Sequence, residues 1–183
     1  MRYTFWLMPA EPLKMQLHSV VRKLAREFDG PEFDPHVTIY YGPSNPTEAE
    51  AITKRLAKGF SPLDLRMRYL DQSEVYEKSF FIQFEPSETL NRMRNLINDS
   101  LAISTGYVLN PHLSLLYKDI SEAKRRELCS QPIAPEGLQH FDAVRVVEFE
   151  PPWRPEAIRK SRILADLKLQ RSIIKRDGPR RVL

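Results

Sequence analysis

The sequence has one cysteine, Cys129, so it can close no intrachain disulfide and can supply no multi-cysteine zinc or iron–sulfur site. Its six glycines are scattered singly, with no glycine-rich loop to cradle the phosphates of a nucleoside triphosphate. No apolar run exceeds a few residues, far short of the roughly 20 that a bilayer span requires. The opening MRYTFWLMPAEP shows no apolar stretch followed by a small-residue cleavage site. A cytoplasmic location without a membrane partner is the expectation. What is present is an ordinary globular composition: 183 residues, 42% hydrophobic and 28% charged, enough for one compact domain or two small packed lobes.

The formal charge of +4 is unevenly spread. Residues 154–183 carry ten Lys and Arg against Glu156, Asp166 and Asp177, so the remainder of the chain is slightly acidic. A basic end of this kind either solvates the chain or attracts a polyanion such as RNA, and the attraction would weaken with salt. Residues 170–183 read as a basic tail with little to bury.

Periodicity gives the element order. RYTFWLM at 2–8 is aromatic and β-prone, and Pro9 and Pro12 stop it. Leu13, Leu17, Val20, Val21, Leu24 and Phe28 recur at helical spacing until Gly30-Pro31. HVTIYY after Pro35 alternates as a strand up to Gly42-Pro43, Thr47 with Glu50 reads as a capping box for a helix to about Gly59, and 63–69 alternates again. The order then repeats. SFFIQFE at 79–85, a helix with the stripe Leu90, Met93, Ile97 and Leu101, HLSLLY after Pro111, a helix opened by Ser121, and FDAVRVVEF at 141–149 follow in turn, with a last strand over 163–169. Corresponding elements lie about 75 to 77 residues apart, which predicts an internal duplication. The fold class expected is α+β and bilobal. Duplicated β-α-β-α-β units, roughly 1–75 and 76–169, would present antiparallel sheets to a central cleft with helices outside.

The chemistry concentrates in two matched segments, Asp34-Pro35-His36-Val37-Thr38-Ile39-Tyr40-Tyr41 and Asn110-Pro111-His112-Leu113-Ser114-Leu115-Leu116-Tyr117. On a strand, residues two apart share a face about 6.5 Å apart, so His36 projects with Thr38 and His112 with Ser114. Val37, Ile39, Leu113 and Leu115 point the other way, into the core. If the halves are related by a two-fold axis, an imidazole and a hydroxyl arrive from each side at one site. Hydrolysing a cyclic phosphodiester needs a base for the attacking water, an acid for the departing alkoxide, and donors for the phosphate oxygens. Two imidazoles with ordinary pKa values of about 6.5 and two hydroxyls answer that list. His18, beside Leu17 on an amphipathic helix, and His140, beside Phe141 at a strand start, read as structural or exposed. Asp34 lies near His36, but Asn110 replaces a carboxylate in the second copy, so no metal site is expected.

The paired HVTI and HLSL segments resemble the two His-x-Thr/Ser-x motifs of the two-histidine phosphoesterase superfamily. The contexts DPHVTIYYG and PHLSLLY are most similar to the plant and fungal type of cyclic nucleotide phosphodiesterase. The resemblance covers most of residues 1–169 and implies a metal- and cofactor-independent hydrolysis of ribose 2′,3′-cyclic phosphates to 2′-phosphates, on small nucleotides or RNA termini; a monomer is the separate expectation. The resemblance also implies that His36 and His112 are the acid–base pair, that Thr38 and Ser114 bind phosphate oxygens, and that Tyr117 lies in the cleft. The tyrosine requires a bend or bulge, because strict pleating sends it to the face opposite His112. Two other readings stay open: an RNA-end enzyme of the same fold with 2′,5′-ligase activity, and a non-catalytic RNA-binding module using the cleft and the basic end.

Overall fold

The computed structural model describes residues 1–103 and 105–170; most of the basic tail assigned to 170–183 lies outside them. The chain runs β1 (Arg2–Pro9), α1 (Leu13–Phe28), β2 (Val37–Gly42), α2 (Pro46–Gly59) and β3 (Leu63–Gln72), then a 3₁₀ turn at Tyr76–Lys78. It continues with β4 (Phe80–Phe84), α3 (Glu88–Ser100), β5 (His112–Leu116), α4 (Glu122–Cys129), β6 (Leu138–Phe149), α5 (Pro155–Lys160) and β7 (Arg162–Lys168). The expected α+β class and antiparallel pairing are both present. No helix among the described residues is long and apolar enough to cross a membrane.

The helices form where their stripes are buried. Leu17, Val21 and Leu24 of α1 and Leu90, Met93 and Ile97 of α3 are each at most 2% exposed, and sealing one such side chain contributes about 1.5–3 kcal/mol. The start of α2 differs from the predicted capping box at Thr47. Asn45 is the cap, its side-chain oxygen accepting from the Glu48 amide at 3.0 Å, because Pro46 fits the first helical position, where no amide proton is needed. Neither the 3₁₀ turn nor α5 was marked by a periodic stripe; both are too short to show one.

The strands make one circuit, β1-β2-β5-β4-β3-β6, closed by β1 pairing with β6, and β7 is added on β6. The two repeats cross over within it. The first halves of β3 and β6 pair with each other, Leu63 opposite Phe141 and Arg66 opposite Leu138. Their second halves then part: β3 joins β4 of the second repeat, and β6 joins β1 of the first. Each repeat's third strand thus completes the other's sheet. One face of β1 sends Tyr3, Phe5 and Leu7 into a core shared by both repeats, while Thr4 and Trp6 are left to the opposite face.

Candidate active site

The motif strands meet at a single rung, Val37 of β2 opposite Leu113 of β5. Both side chains are fully buried. In an antiparallel register centred on that rung, the flanking residues fall crosswise, His36 toward Ser114 and Thr38 toward His112, on the face opposite the core. All four side chains line one cleft of about 500 Å³.

Matching bulges shape the ends of the two motifs. Trp6 pairs with Thr38 but Phe5 with Tyr40, which leaves Ile39 as an extra residue. Phe81 pairs with Ser114 but Phe80 with Leu116, which leaves Leu115 as an extra residue at the equivalent place. An extra residue reverses the pleat beyond it. Tyr41 and Tyr117, each five residues after its histidine, therefore both reach the cleft. Tyr117 is 3% exposed and stacks on Phe33 with ring centroids 3.7 Å apart. Its burial raises the phenol pKa well above the ordinary value, so the hydroxyl keeps its proton.

The imidazoles are fixed at one nitrogen each. His36 Nδ1 lies 2.6 Å from the Asp34 carbonyl and His112 Nδ1 2.8 Å from the Asn110 carbonyl, so a proton on Nδ1 is donated and Nε2 is left for the cleft. Trp6 stacks flat on His36 at 3.7 Å, and Phe81 meets His112 edge-on at 5.4 Å. Burial lowers the His36 pKa from 6.5 to about 3; Asp34 opposes that shift, and a proton on His112 or the Arg145 charge adds to it. Burial, with a smaller push from Lys78, lowers that of His112 from 6.5 to about 4. Both rings are neutral in the free cleft at neutral pH. Ser114 Oγ donates to the Glu77 carbonyl at 2.7 Å, so its hydroxyl must rotate before it can donate to a ligand.

Much of the rest of the wall is aromatic, beside Thr4, Glu77, Pro151 and Pro152. Phe149 and Trp153 pack edge to face at 4.6 Å, Tyr41 stacks obliquely on Phe149 at 6.1 Å, and Tyr107 closes another side. Tyr107 is delivered by the loop after α3, which is pinned where the Thr105 amide donates to the Tyr40 hydroxyl at 3.1 Å. Trp6, Tyr107, Phe149 and Trp153 were not signalled by the sequence patterns, which mark faces within one strand but not which strands meet. The remaining histidines lie elsewhere. His18 lines a neighbouring hollow beside Asp34, and His140 is exposed with Nδ1 2.7 Å from an Asp64 carboxylate oxygen.

Comparison with known proteins identifies the fold and the family. The chain is 22% identical over 125 residues to a cyclic phosphodiesterase of Arabidopsis thaliana, a match covering 68% of this chain and 69% of the relative. Its fold resembles that of the protein TT0787 of Thermus thermophilus, with a TM-score of 0.61, 18% identity and coverage of 92% of this chain and 98% of the other. It also resembles LigT of Escherichia coli in complex with 3′-AMP, with a TM-score of 0.60, 15% identity and coverage of 93% and 98%. The family model described as cyclic phosphodiesterase-like protein matches residues 1–142. With the two-histidine resemblance thus borne out, the chain belongs to the cyclic phosphodiesterase-like family.

Proposed function

We propose that the protein hydrolyses ribose 2′,3′-cyclic phosphates to 2′-phosphates, with His36 and His112 as the acid–base pair and no metal ion. The observation that carries this reading is the crosswise set of His36, Thr38, His112 and Ser114 on one face of one cleft. One neutral imidazole takes a proton from water as the water oxygen forms its bond to phosphorus. The bond from phosphorus to the ribose 3′ oxygen breaks, and the other imidazole, protonated, gives that oxygen its proton. Thr38 and Ser114 donate to the non-bridging oxygens as charge accumulates there, and Tyr117 keeps a neutral hydroxyl beside them.

The free cleft depresses both imidazole pKa values, and the substrate itself supplies the correction. A phosphodiester carries a negative charge, and an anion between the two rings raises both pKa values. The ring that acts as acid is therefore charged as substrate enters. The aromatic wall suits the flat face of a base, and LigT, of the same fold, is known in complex with 3′-AMP, a ligand of comparable size. We expect a small nucleotide as substrate and a monomer as the working unit.

The test is turnover of the four nucleoside 2′,3′-cyclic phosphates and of ADP-ribose 1″,2″-cyclic phosphate in the presence of EDTA, with His112→Ala as control. Undiminished turnover by His112→Ala would end the acid–base assignment.

A further inference from the structure

Behind His36 lies a charged network that the acid–base reading leaves unused. Arg145 stands on β6 opposite Trp6 of β1 and is only 5% exposed. Its Nε and Nη2 donate to one carboxylate oxygen of Asp166 on β7 at 3.1 and 2.6 Å, and its Nη1 donates to the carboxylate of Asp34. Asp34 is also the residue whose backbone carbonyl meets His36 Nδ1. A buried guanidinium is costly unless its charge is matched and its donors are used, and a hydrophobic side chain would serve packing as well. Its place in the run Val144-Arg145-Val146-Val147 therefore calls for a reason other than the core.

The second half of the molecule meets the same mechanical need without charge. The Asn110 carbonyl faces His112 Nδ1, and the Asn110 side-chain oxygen accepts from Gln83 Nε2 at 2.9 Å. The same amide donates to the Pro111 carbonyl at 2.8 Å. Each turn before a histidine is thus pinned by a long side chain from another strand: a guanidinium on a carboxylate in one half, an amide on an amide in the other. Two clamps of different chemistry, reaching from non-equivalent strands to equivalent turns, share one effect, which is to hold the carbonyl that orients the imidazole.

We propose that the Asp34–Arg145 ion pair is a positioning device for His36, holding the Asp34 carbonyl so that Nδ1 keeps the proton and Nε2 faces the cleft. This rests on the reading of His36 as one of the acid–base pair. Without the clamp the turn relaxes, the carbonyl moves off the ring, and the other tautomer becomes accessible. Arg145 touches no substrate and acts only through Asp34.

Asp34→Ala is the discriminating variant, because Arg145 keeps both of its bonds to Asp166 and no buried charge is orphaned. The tautomer of each histidine is read by long-range proton–nitrogen NMR of ¹⁵N-histidine-labelled protein at neutral pH, and kcat and KM are measured on a nucleoside 2′,3′-cyclic phosphate. The wild-type protein should show a single Nδ1–H tautomer at His36. In Asp34→Ala that signal should become a mixture while His112 is unchanged, and kcat should fall about 10- to 100-fold with KM within about threefold, the signature of a misplaced group. The double variant Asp34→Asn/Arg145→Gln copies the neutral pair of the second half and should restore both the single tautomer and kcat to within about fivefold. An unchanged His36 tautomer and kcat in folded Asp34→Ala would overturn the proposal, as would loss of the tautomer without recovery in the double variant. If the wild-type protein turned over no cyclic phosphate, the proposed reaction would fall, while the tautomer measurement would still decide whether the clamp exists.

Discussion

Val37 pairs with Leu113 at the rung where the two motif strands touch, and the four polar side chains of the cleft are its immediate sequence neighbours. The positions of both imidazoles are consequently set by the sheet backbone. Replacing either ring should remove one proton-transfer role and leave the other in place. His36→Ala and His112→Ala should each lower kcat on a cyclic nucleotide by about 10²- to 10⁴-fold, with the double variant little worse than the poorer single one. Steady-state kinetics on the three variants check this.

The two hydroxyls should not be equivalent. Ser114 must leave the Glu77 carbonyl before it can serve a phosphate, whereas the β-branched Thr38 is restricted to few rotamers. Thr38→Ala should cost about 10- to 100-fold in kcat, the worth of one hydrogen bond to a charged group, and Ser114→Ala less. A larger loss for Ser114→Ala would show that the Glu77 contact does not compete.

Acidity should separate the free enzyme from its complex. Burial holds the His36 pKa at about 3 and that of His112 at about 4 in the empty cleft, and a bound anion raises them. Because kcat/KM reports the free enzyme and kcat the complex, the kcat optimum should lie at the higher pH. Stability gives an independent reading. A histidine whose folded pKa is depressed stabilises the fold fully above its unfolded value of 6.5, and that contribution is lost as pH falls toward the folded value. The melting temperature should therefore drop on acidification from about pH 6.5 toward 3, and His36→Phe should flatten that fall.

Chelation should have no effect on turnover. Among the described residues no group of three His, Cys, Asp or Glu side chains is arranged to hold a metal ion. Activity should be equal before and after exhaustive EDTA treatment; loss that divalent ions restore would replace the acid–base mechanism with a metal-assisted one.

The aromatic wall should affect binding more than chemistry. Tyr41 is 38% exposed at the mouth of the cleft and leans on Phe149. Tyr41→Ala should raise KM for a nucleoside cyclic phosphate by about 5- to 50-fold with kcat within about threefold, as expected for loss of one stacked ring. A ribose cyclic phosphate without a base should be indifferent to the change.

The parts of this site that could be read in the sequence are those that repeat. HVTI and HLSL reveal themselves because two copies of a rare pattern share one offset, and the faces of β2 and β5 follow from alternation. Arg145 left a fainter trace, a lone cation in a run of valines, which becomes meaningful only when β6 is seen to lie beside β1. Trp6 and Trp153 left none, since an aromatic residue in a β-prone segment reads as core. The bulges at Ile39 and Leu115 were equally hidden: Tyr117 needed one to enter the cleft, but HLSLLY contains no glycine or proline to announce it. What escaped is the non-local part, the choice of neighbours made by a sheet whose strands cross between repeats.

The exchange of β3 and β6 also bears on how the molecule could have arisen and how it can be taken apart. Severed near residue 75, neither fragment would own a finished sheet, and each would carry an edge shaped for the other. Mixed in solution, the two pieces should find one another and regain the cleft, whereas either piece alone would be prone to self-association through its bare edge.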